Sequence, residues 1–332
     1  MTGKIVNKKI AIVGAGFSGI TVARELARHN HVQVFEKSRG MGGRMATRRT
    51  ETHHFDHGAQ FFTAKSQEFQ DFLEPIRQQN IITPWQCNFA EIVENKINKS
   101  WKFSSAYPHF VATPYMNSLC KHLAKDLNVL LNTQIKNITF NQKKWSLQTI
   151  NNQVFNDYDY LILAIPAPQA IALIPSQFKY TELVKQISMS GCFTLMLGLN
   201  KNLNMQFDAA VVKQSIISWI AKNHSKSDRP HGFSLVVNSS NKWADANIEA
   251  DITQVKDKLL DTLKSIIELK DDDIEYSTLH RWKYANAGLR KGEKSLFDSQ
   301  LNLGLCGDWF ISGRVESAFL SGMNLISQLH DR

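Results

Sequence analysis

Cysteine is scarce in this chain. Only Cys87, Cys120, Cys192 and Cys306 occur among 332 residues, each alone, with no CxxC and no paired spacing. That pattern argues against a disulfide framework and a cysteine-based zinc site, and it suits a reducing compartment. Long apolar runs are also missing: no stretch reaches the roughly 18 to 20 uninterrupted apolar residues of a membrane span. Lys8 and Lys9 before "IAIVGAGFSGITVA" have the outline of a signal peptide, but three glycines interrupt the run. The expectation is a soluble, cytoplasmic protein without membrane contact.

Runs of five or more basic residues are absent too, and so is any nucleic-acid-binding motif, although the net charge is +9. The excess charge then reads as a solvated basic surface or as attraction for a phosphate-bearing ligand. No low-complexity linker or internal repeat divides the chain. What is present is 43% hydrophobic and 21% charged residues, enough for a sizeable core and long enough for two lobes.

The clearest local signal lies near the start. "IAIV" is a continuous apolar run, as in a strand buried on both faces of a parallel sheet. Gly14, Gly16 and Gly19 follow as GxGxxG, then Ile20, Ala23, Leu26 and Ala27 recur at helical spacing. "VQVF" reads as a second strand, closed by Glu36. In such a unit the first glycine permits a tight turn, the second lets a pyrophosphate approach the backbone, and the third lets helix and strand pack closely. The helix N-terminus faces the phosphates. Glu36 stands where a carboxylate accepts hydrogen bonds from both ribose hydroxyls. By itself the motif does not separate NAD from FAD.

Other segments admit two readings. His53, His54 and His57 with Asp56 look like a metal cluster, but "HHFDHGAQFF" reads as loop and strand, so no metal site is expected. In "STLHRWKYA" Thr278, His280, Trp282 and Tyr284 share one face of a strand, either as a core stripe or as a pocket wall. "SWIAKNHSKSDRP" (218–230) places Trp219 with Lys222, Lys226 and Arg229, either as a basic surface loop or as a phosphate-binding one. Near the end, "GLCGDWFISGRVESAFLSG" is a second glycine-lined turn from a strand into a helix, with Asp308 at the turn. Cys306 within it reads as a packed small hydrophobe.

Arg39, Gly42, Gly43, Arg44 and Thr47 match R-x-x-G-G-R-x-x-[ST], which follows the dinucleotide fingerprint in the FAD-containing amine-oxidase superfamily. With "FDHGAQFFTA", "HRWKYANA" and the two segments at 218–230 and 304–322, the chain resembles the renalase-like branch over nearly its whole length. The resemblance implies an α/β fold. A Rossmann-type FAD-binding domain of the amine-oxidase/glutathione-reductase-like kind (1–65, 106–170, 272–332) is joined to a second, mixed-sheet substrate domain (66–105, 171–271). The residues over 114–126 read as a helix, and the resemblance places it within the FAD-binding domain.

It further implies non-covalent FAD held by Gly14, Ala15, Gly16, Phe17, Ser18 and Gly19, by Glu36 and Lys37, and by Gly43 and Arg44. Gly58, Ala59, Gln60 and Phe61 run beside the flavin, the Ile135 backbone meets adenine, and Asp308, Arg314 and Val315 hold the ribityl and flavin end. Ser18 and Arg44 are expected on the phosphates. Trp219, Lys226, Arg229, His280 and Trp282 are expected at the substrate, with Trp282 at the isoalloxazine and the basic loop on substrate phosphates.

The implied reaction oxidises 2- or 6-dihydro isomers of NAD(P)H. A hydride passes to the flavin, molecular oxygen reoxidises it, and NAD(P)+ and hydrogen peroxide leave. No side chain is expected as general acid or base. An FAD-dependent amine oxidase is the alternative. Many amine oxidases carry a lysine, water-bonded to flavin N5, on the strand that corresponds to "SMSGCFTLMLGLN". Here no lysine precedes Lys201.

Overall fold

A computed structural model describes residues 5–230 and 232–331. The chain divides into two compact units. Met1–Arg44, Leu119–Met189 and Ala287–Arg332 form the first; Met45–Ser118 and Ser190–Asn286 form the second.

The first unit is built on a six-stranded sheet. Its order is Leu296–Asp298, Leu303–Leu305, Tyr160–Leu163, Lys9–Val13, His31–Phe35, Asn128–Leu130. All pairs are parallel except the first. Ile10–Val13, Tyr160–Leu163 and Leu303–Leu305 are buried throughout, which is why they read as unbroken apolar runs. Helices Phe17–Leu26 and Val315–His330 pack together. A Cβ on Gly322 would lie 3.2 Å from Val22 Cγ2 and 3.4 Å from the Ser18 carbonyl oxygen. An antiparallel meander, Ile135–Asn141, Lys144–Thr149 and Val154–Tyr158, contributes Trp145, Leu147 and Tyr158 to one core with Ala11, Phe35 and Leu161.

The second unit is a mixed seven-stranded sheet. Its order is Ile274–Asn286, Ser190–Leu199, Phe233–Ser239, Ile217–Lys222, Ala209–Lys213, Asn88–Val93, Lys96–Lys102. Helix Ile252–Ile266 lays Val255, Leu259 and Leu263 against Phe193, Leu195 and Val237 of that sheet.

These boundaries differ from those expected. Residues 45–65 and 106–118 belong to the second unit, because Thr47–Arg49 pairs with His54–Asp56 and Phe110–Ala112 pairs with Ile82–Pro84. Residues 272–286 join it through the long pairing of Ile274–Asn286 with Ser190–Leu199. Residues 171–189 stay with the first unit, where Phe178, Val184 and Ile187 enter the core. The helix expected over 114–126 is only Ser118–Leu123. Before it, the Ser118 N–H donates to the Tyr115 carbonyl and the Tyr115 N–H donates to Ser118 Oγ, which closes a turn in place of helix.

Candidate functional site

In the first unit, Lys9–Val13 delivers the chain to Gly14 at φ +106, a conformation that side chains disfavour. A Cβ there would lie 2.5 Å from the Ala164 carbonyl oxygen, and one on Gly19 would lie 2.1 Å from the Gly14 oxygen. These two glycines close the turn against its neighbours. Gly16 differs. It caps helix Phe17–Leu26 with no side-chain hydrogen bond and no acid in the first turn, and a Cβ on it would meet nothing within 4 Å. The helix N-terminus therefore opens onto space beside a glycine, which is the geometry an anion fills.

The Gly42 N–H donates to the Ala15 carbonyl at 2.8 Å, so the "GMGGR" loop lies along the turn. Gly43, at φ +52, would place a Cβ 3.2 Å from Gly16 Cα. Arg44 then forms a two-pronged ion pair with Asp308: Nη1 donates to Oδ2 at 2.8 Å and Nη2 to Oδ1 at 2.5 Å. The "GMGGR" loop that lies along the first turn is thus joined to the second glycine-lined turn by a charge-assisted fork between residues 264 apart in sequence.

Glu36 is 6% exposed. Its Oε2 accepts the Ala15 N–H and its Oε1 the Ser38 N–H, both at 2.8 Å. Each oxygen keeps a second lone pair for a ribose hydroxyl. Glu36→Gln replaces one acceptor by an amide donor, facing a backbone N–H. The expected result is a loss of roughly 1.5–3 kcal/mol in flavin binding, with a lowered melting temperature of the first unit. Unchanged flavin affinity in equilibrium titration would remove Glu36 from the site.

Lys37 is exposed beside it. Phe17 is buried on the helix, and the Ser18 hydroxyl lies inside, beside the Cys306 thiol and Gly322. The hydroxyl expected on the phosphates is thus buried within the first unit. Ile135 opens a meander strand and is buried. Arg314 caps helix Val315–His330 without a side-chain bond, so Val315 begins the turn whose N–H groups lead the helix. Cys306 is fully buried, and burial pushes its thiol up to about 12.

In the second unit Asp56 is a hub with no exposed side-chain surface. Its Oδ2 accepts from Lys226 Nζ at 3.1 Å and from Arg229 Nη2 at 2.6 Å; its Oδ1 accepts from Thr47 Oγ1 at 2.7 Å and from the Met116 N–H at 3.1 Å. Lys226 also donates to Gln60 Oε1 and Asn223 Oδ1, and Arg229 to the Ala112 carbonyl. Lys226 and Arg229 were expected on substrate phosphates. Their side chains are 0% and 1% exposed and spent on Asp56, so they cannot reach them. The short helical turn Asn223–Ser225 carries this segment inward, and two buried cations need an anion more than a surface does. Lys222 is also buried, donating to the Met205 carbonyl.

Trp219 packs with Phe61 and Phe89 at ring separations of 5.8 and 5.5 Å, in an aromatic core that includes Trp85 and Phe103. Gln60 donates to the Asp56 and Gly58 carbonyls, while Gly58 and Ala59 are half-buried.

His280 and Trp282 do share a strand face. Their rings lie 4.3 Å apart, and His57 stacks on Trp282 at 5.3 Å and meets His280 edge-on at 4.9 Å. The His57 carbonyl accepts from Trp282 Nε1 at 2.8 Å and from Thr194 Oγ1 at 3.2 Å, which pins the stack. Burial lowers His57 to about 3, helped by the neighbouring His280 and Arg48, and lowers His280 to about 4. Both imidazoles are neutral at ordinary pH. His53 bonds Thr52 and the Leu199 carbonyl, and His54 tilts against Tyr115, so the clustered histidines of the sequence serve separate surroundings.

Sequence reasoning missed Asp56 as a hub and His57 as part of the stack. A lone acid in an apolar stretch was the available signal, since burial there demands a cation.

No helix among the described residues is long and apolar enough to cross a membrane. Residues 12–76 match the NAD(P)-binding Rossmann-like domain family, and residues 100–325 match the flavin containing amine oxidoreductase family. Among curated proteins, a Bos taurus protein named prenylcysteine oxidase 1-like is 38% identical over 79 residues, which is 23% of this chain and 16% of that protein. A Staphylococcus aureus 4,4'-diapophytoene desaturase is 35% identical over 81 residues, 21% of this chain and again 16% of the relative. Both matches span only a small part of those relatives' length.

Among solved structures, a protein assigned as a protoporphyrinogen oxidase from Exiguobacterium sp. 255-15 superposes with a TM-score of 0.78 at 12% identity. That alignment covers 98% of this chain and 99% of the other. A putrescine oxidase variant gives 0.71 at 11%, with the same coverage. These two share the fold. With well over half of its residues matched by one family model, the chain belongs to the flavin-containing amine oxidoreductases.

Proposed function

We propose that this chain is a renalase-like FAD oxidase whose substrates are 2- or 6-dihydro isomers of NAD(P)H. One oxygen and one proton are consumed per turnover, and NAD(P)+ and hydrogen peroxide are released. The observation that carries the reading is the group His57, His280 and Trp282: an aromatic wall in which His57 stacks on Trp282 and His280 stands edge-on to both, with the two imidazoles held neutral. A planar dihydronicotinamide ring stacks on such a wall, and its oxidation requires no base because the ring is already electron-rich.

The first unit's residues fit the cofactor. The helix at Gly16 receives the pyrophosphate, Glu36 the ribose, and the Arg44–Asp308 fork fixes the two turns that grip the ends of the molecule. Bound FAD would supply the two-electron acceptor and the route to oxygen. All four cysteines have thiols pushed up to about 11 or 12, with burial as the leading cause, which favours non-covalent binding. Their scarcity and isolated spacing in the sequence also suit a cytoplasmic location.

The second reading is an amine oxidase, favoured by the family model itself. Against it, the strand Ser190–Leu199 has no lysine. Lys201 just beyond it pairs with Asp273 at 2.6 Å.

The deciding experiment is anaerobic mixing of the holoprotein with 6-dihydro-NAD, 4-dihydro NADH and biogenic amines. Rapid bleaching of the flavin by the 6-dihydro isomer, much slower bleaching by NADH and none by amines is expected. Faster reduction by any amine would sink the proposal.

A further inference from the structure

Strand Thr47–Arg49 sets Arg48 opposite Phe55, and its Nη1 donates to Thr278 Oγ1 across a long 3.4 Å. Thr278, His280 and Trp282 alternate along one face of strand Ile274–Asn286, so Arg48 heads the same row that ends in the aromatic wall. Its charge also bears on both imidazoles, lowering the proton affinity of each. Lys226 and Arg229 are each bonded to a carboxylate; among the described residues Arg48 has no carboxylate within 4.0 Å. A half-buried guanidinium fork beside an aromatic cluster is suited to hold two oxygens of a carboxylate or phosphate in parallel bonds.

We propose that Arg48 binds the anionic group, a phosphate or carboxylate, of a ligand whose planar ring lies against Trp282 with His280 at its edge. The inference rests on the reading of that row as the substrate face, and it gives the phosphate contact to Arg48 in place of the buried Lys226 and Arg229. Because a phosphate is held alike in ground and transition states, Arg48 governs affinity more than rate.

The test is calorimetric titration of oxidised holoprotein with NAD+ and with nicotinamide riboside, which carries the ring but no phosphate. Arg48→Gln should weaken NAD+ binding about ten- to a hundredfold and leave the riboside within about twofold. Arg48→Lys should recover part of the loss, and added salt should weaken NAD+ more in the parent than in Arg48→Gln. Equal weakening of both ligands, no weakening of NAD+, or a parent protein that fails to bind NAD+ overturns the assignment. The two proposals fail separately. If amines alone reduce the flavin while Arg48→Gln still loses NAD+, the reaction is wrong and the site stands. If 6-dihydro-NAD reduces the flavin with unchanged affinity in Arg48→Gln, the site is wrong and the reaction stands.

Discussion

Asp56→Asn should destabilise the second unit by about 3–5 kcal/mol. For a unit of this size that corresponds to a melting temperature lower by about 6–20 °C. The substitution keeps the shape and removes the charge. Lys226 and Arg229 then face an amide, with side chains 0% and 1% exposed and no route to water. The Asn amide also turns donor hydrogens either on those cations or on the Thr47 hydroxyl and Met116 N–H. Lys226→Met should be far milder, because Asp56 keeps Arg229 and the aliphatic chain replaces an ammonium lying 5.5 Å from the centre of the Trp85 ring. Burial, the leading cause, lowers Lys226 to about 8 against the opposing pull of Asp56.

The pH dependence has a definite sign. Although burial alone would raise it, Asp56 is held well below the usual carboxylate range by Lys226 and Arg229. Its stabilisation is therefore full above about pH 4, where the unfolded carboxylate is ionised, and is lost as pH falls from there. His57 and His280, lowered to about 3 and 4, act in the same direction: their stabilisation is full above about pH 6.5 and falls away as pH drops toward those values. Thermal unfolding from pH 8 to 3 measures both. Asp56→Asn should make the decline below pH 4 shallower, leaving the His57 share of it, and keep the part between pH 6.5 and 4. A melting temperature unchanged by Asp56→Asn at neutral pH would show that the cluster does not hold the unit together.

Gly16→Val should abolish flavin binding in a protein that still folds. Gly16 lies at φ −74 and ψ 176, extended backbone open to any residue, and no atom lies within 4 Å of where its Cβ would stand. The polypeptide has room for the side chain; a phosphate at the helix N-terminus does not. Losing two or more charge-assisted bonds from backbone N–H groups corresponds to at least roughly a hundredfold loss in affinity. Gly14→Ala and Gly19→Ala should behave differently, because their Cβ atoms would meet backbone oxygens at 2.5 and 2.1 Å. Those variants should lose fold and flavin together. Gel filtration followed by flavin absorbance, with a melting curve of the apoprotein, separates the cases. Gly16→Val that elutes with a full complement of flavin would place the phosphates elsewhere.

The first turn was legible because its information is local. GxGxxG between an apolar run and a helical repeat fixes backbone angles within six residues, and the folded chain shows φ +106 at Gly14 and an uncapped helix at Gly16. Strand 274–286 and the shared face of His280 and Trp282 were legible for the same reason, since a two-residue alternation is set by the pleat. Unit boundaries were less so. Whether 272–286 belongs to one unit or the other depends on its pairing with 190–199, about 80 residues away, and composition is silent on pairing.

The basic loop shows the limit most plainly. Its charges were visible, but whether a charge points to water or inward depends on a partner, and the partner of Lys226 and Arg229 is Asp56, 170 and 173 residues earlier. Local spacing determined the turns, the strands and the family's cofactor motif. Tertiary packing decided which cations are free for a ligand, because desolvation of a charge is settled by everything that folds around it.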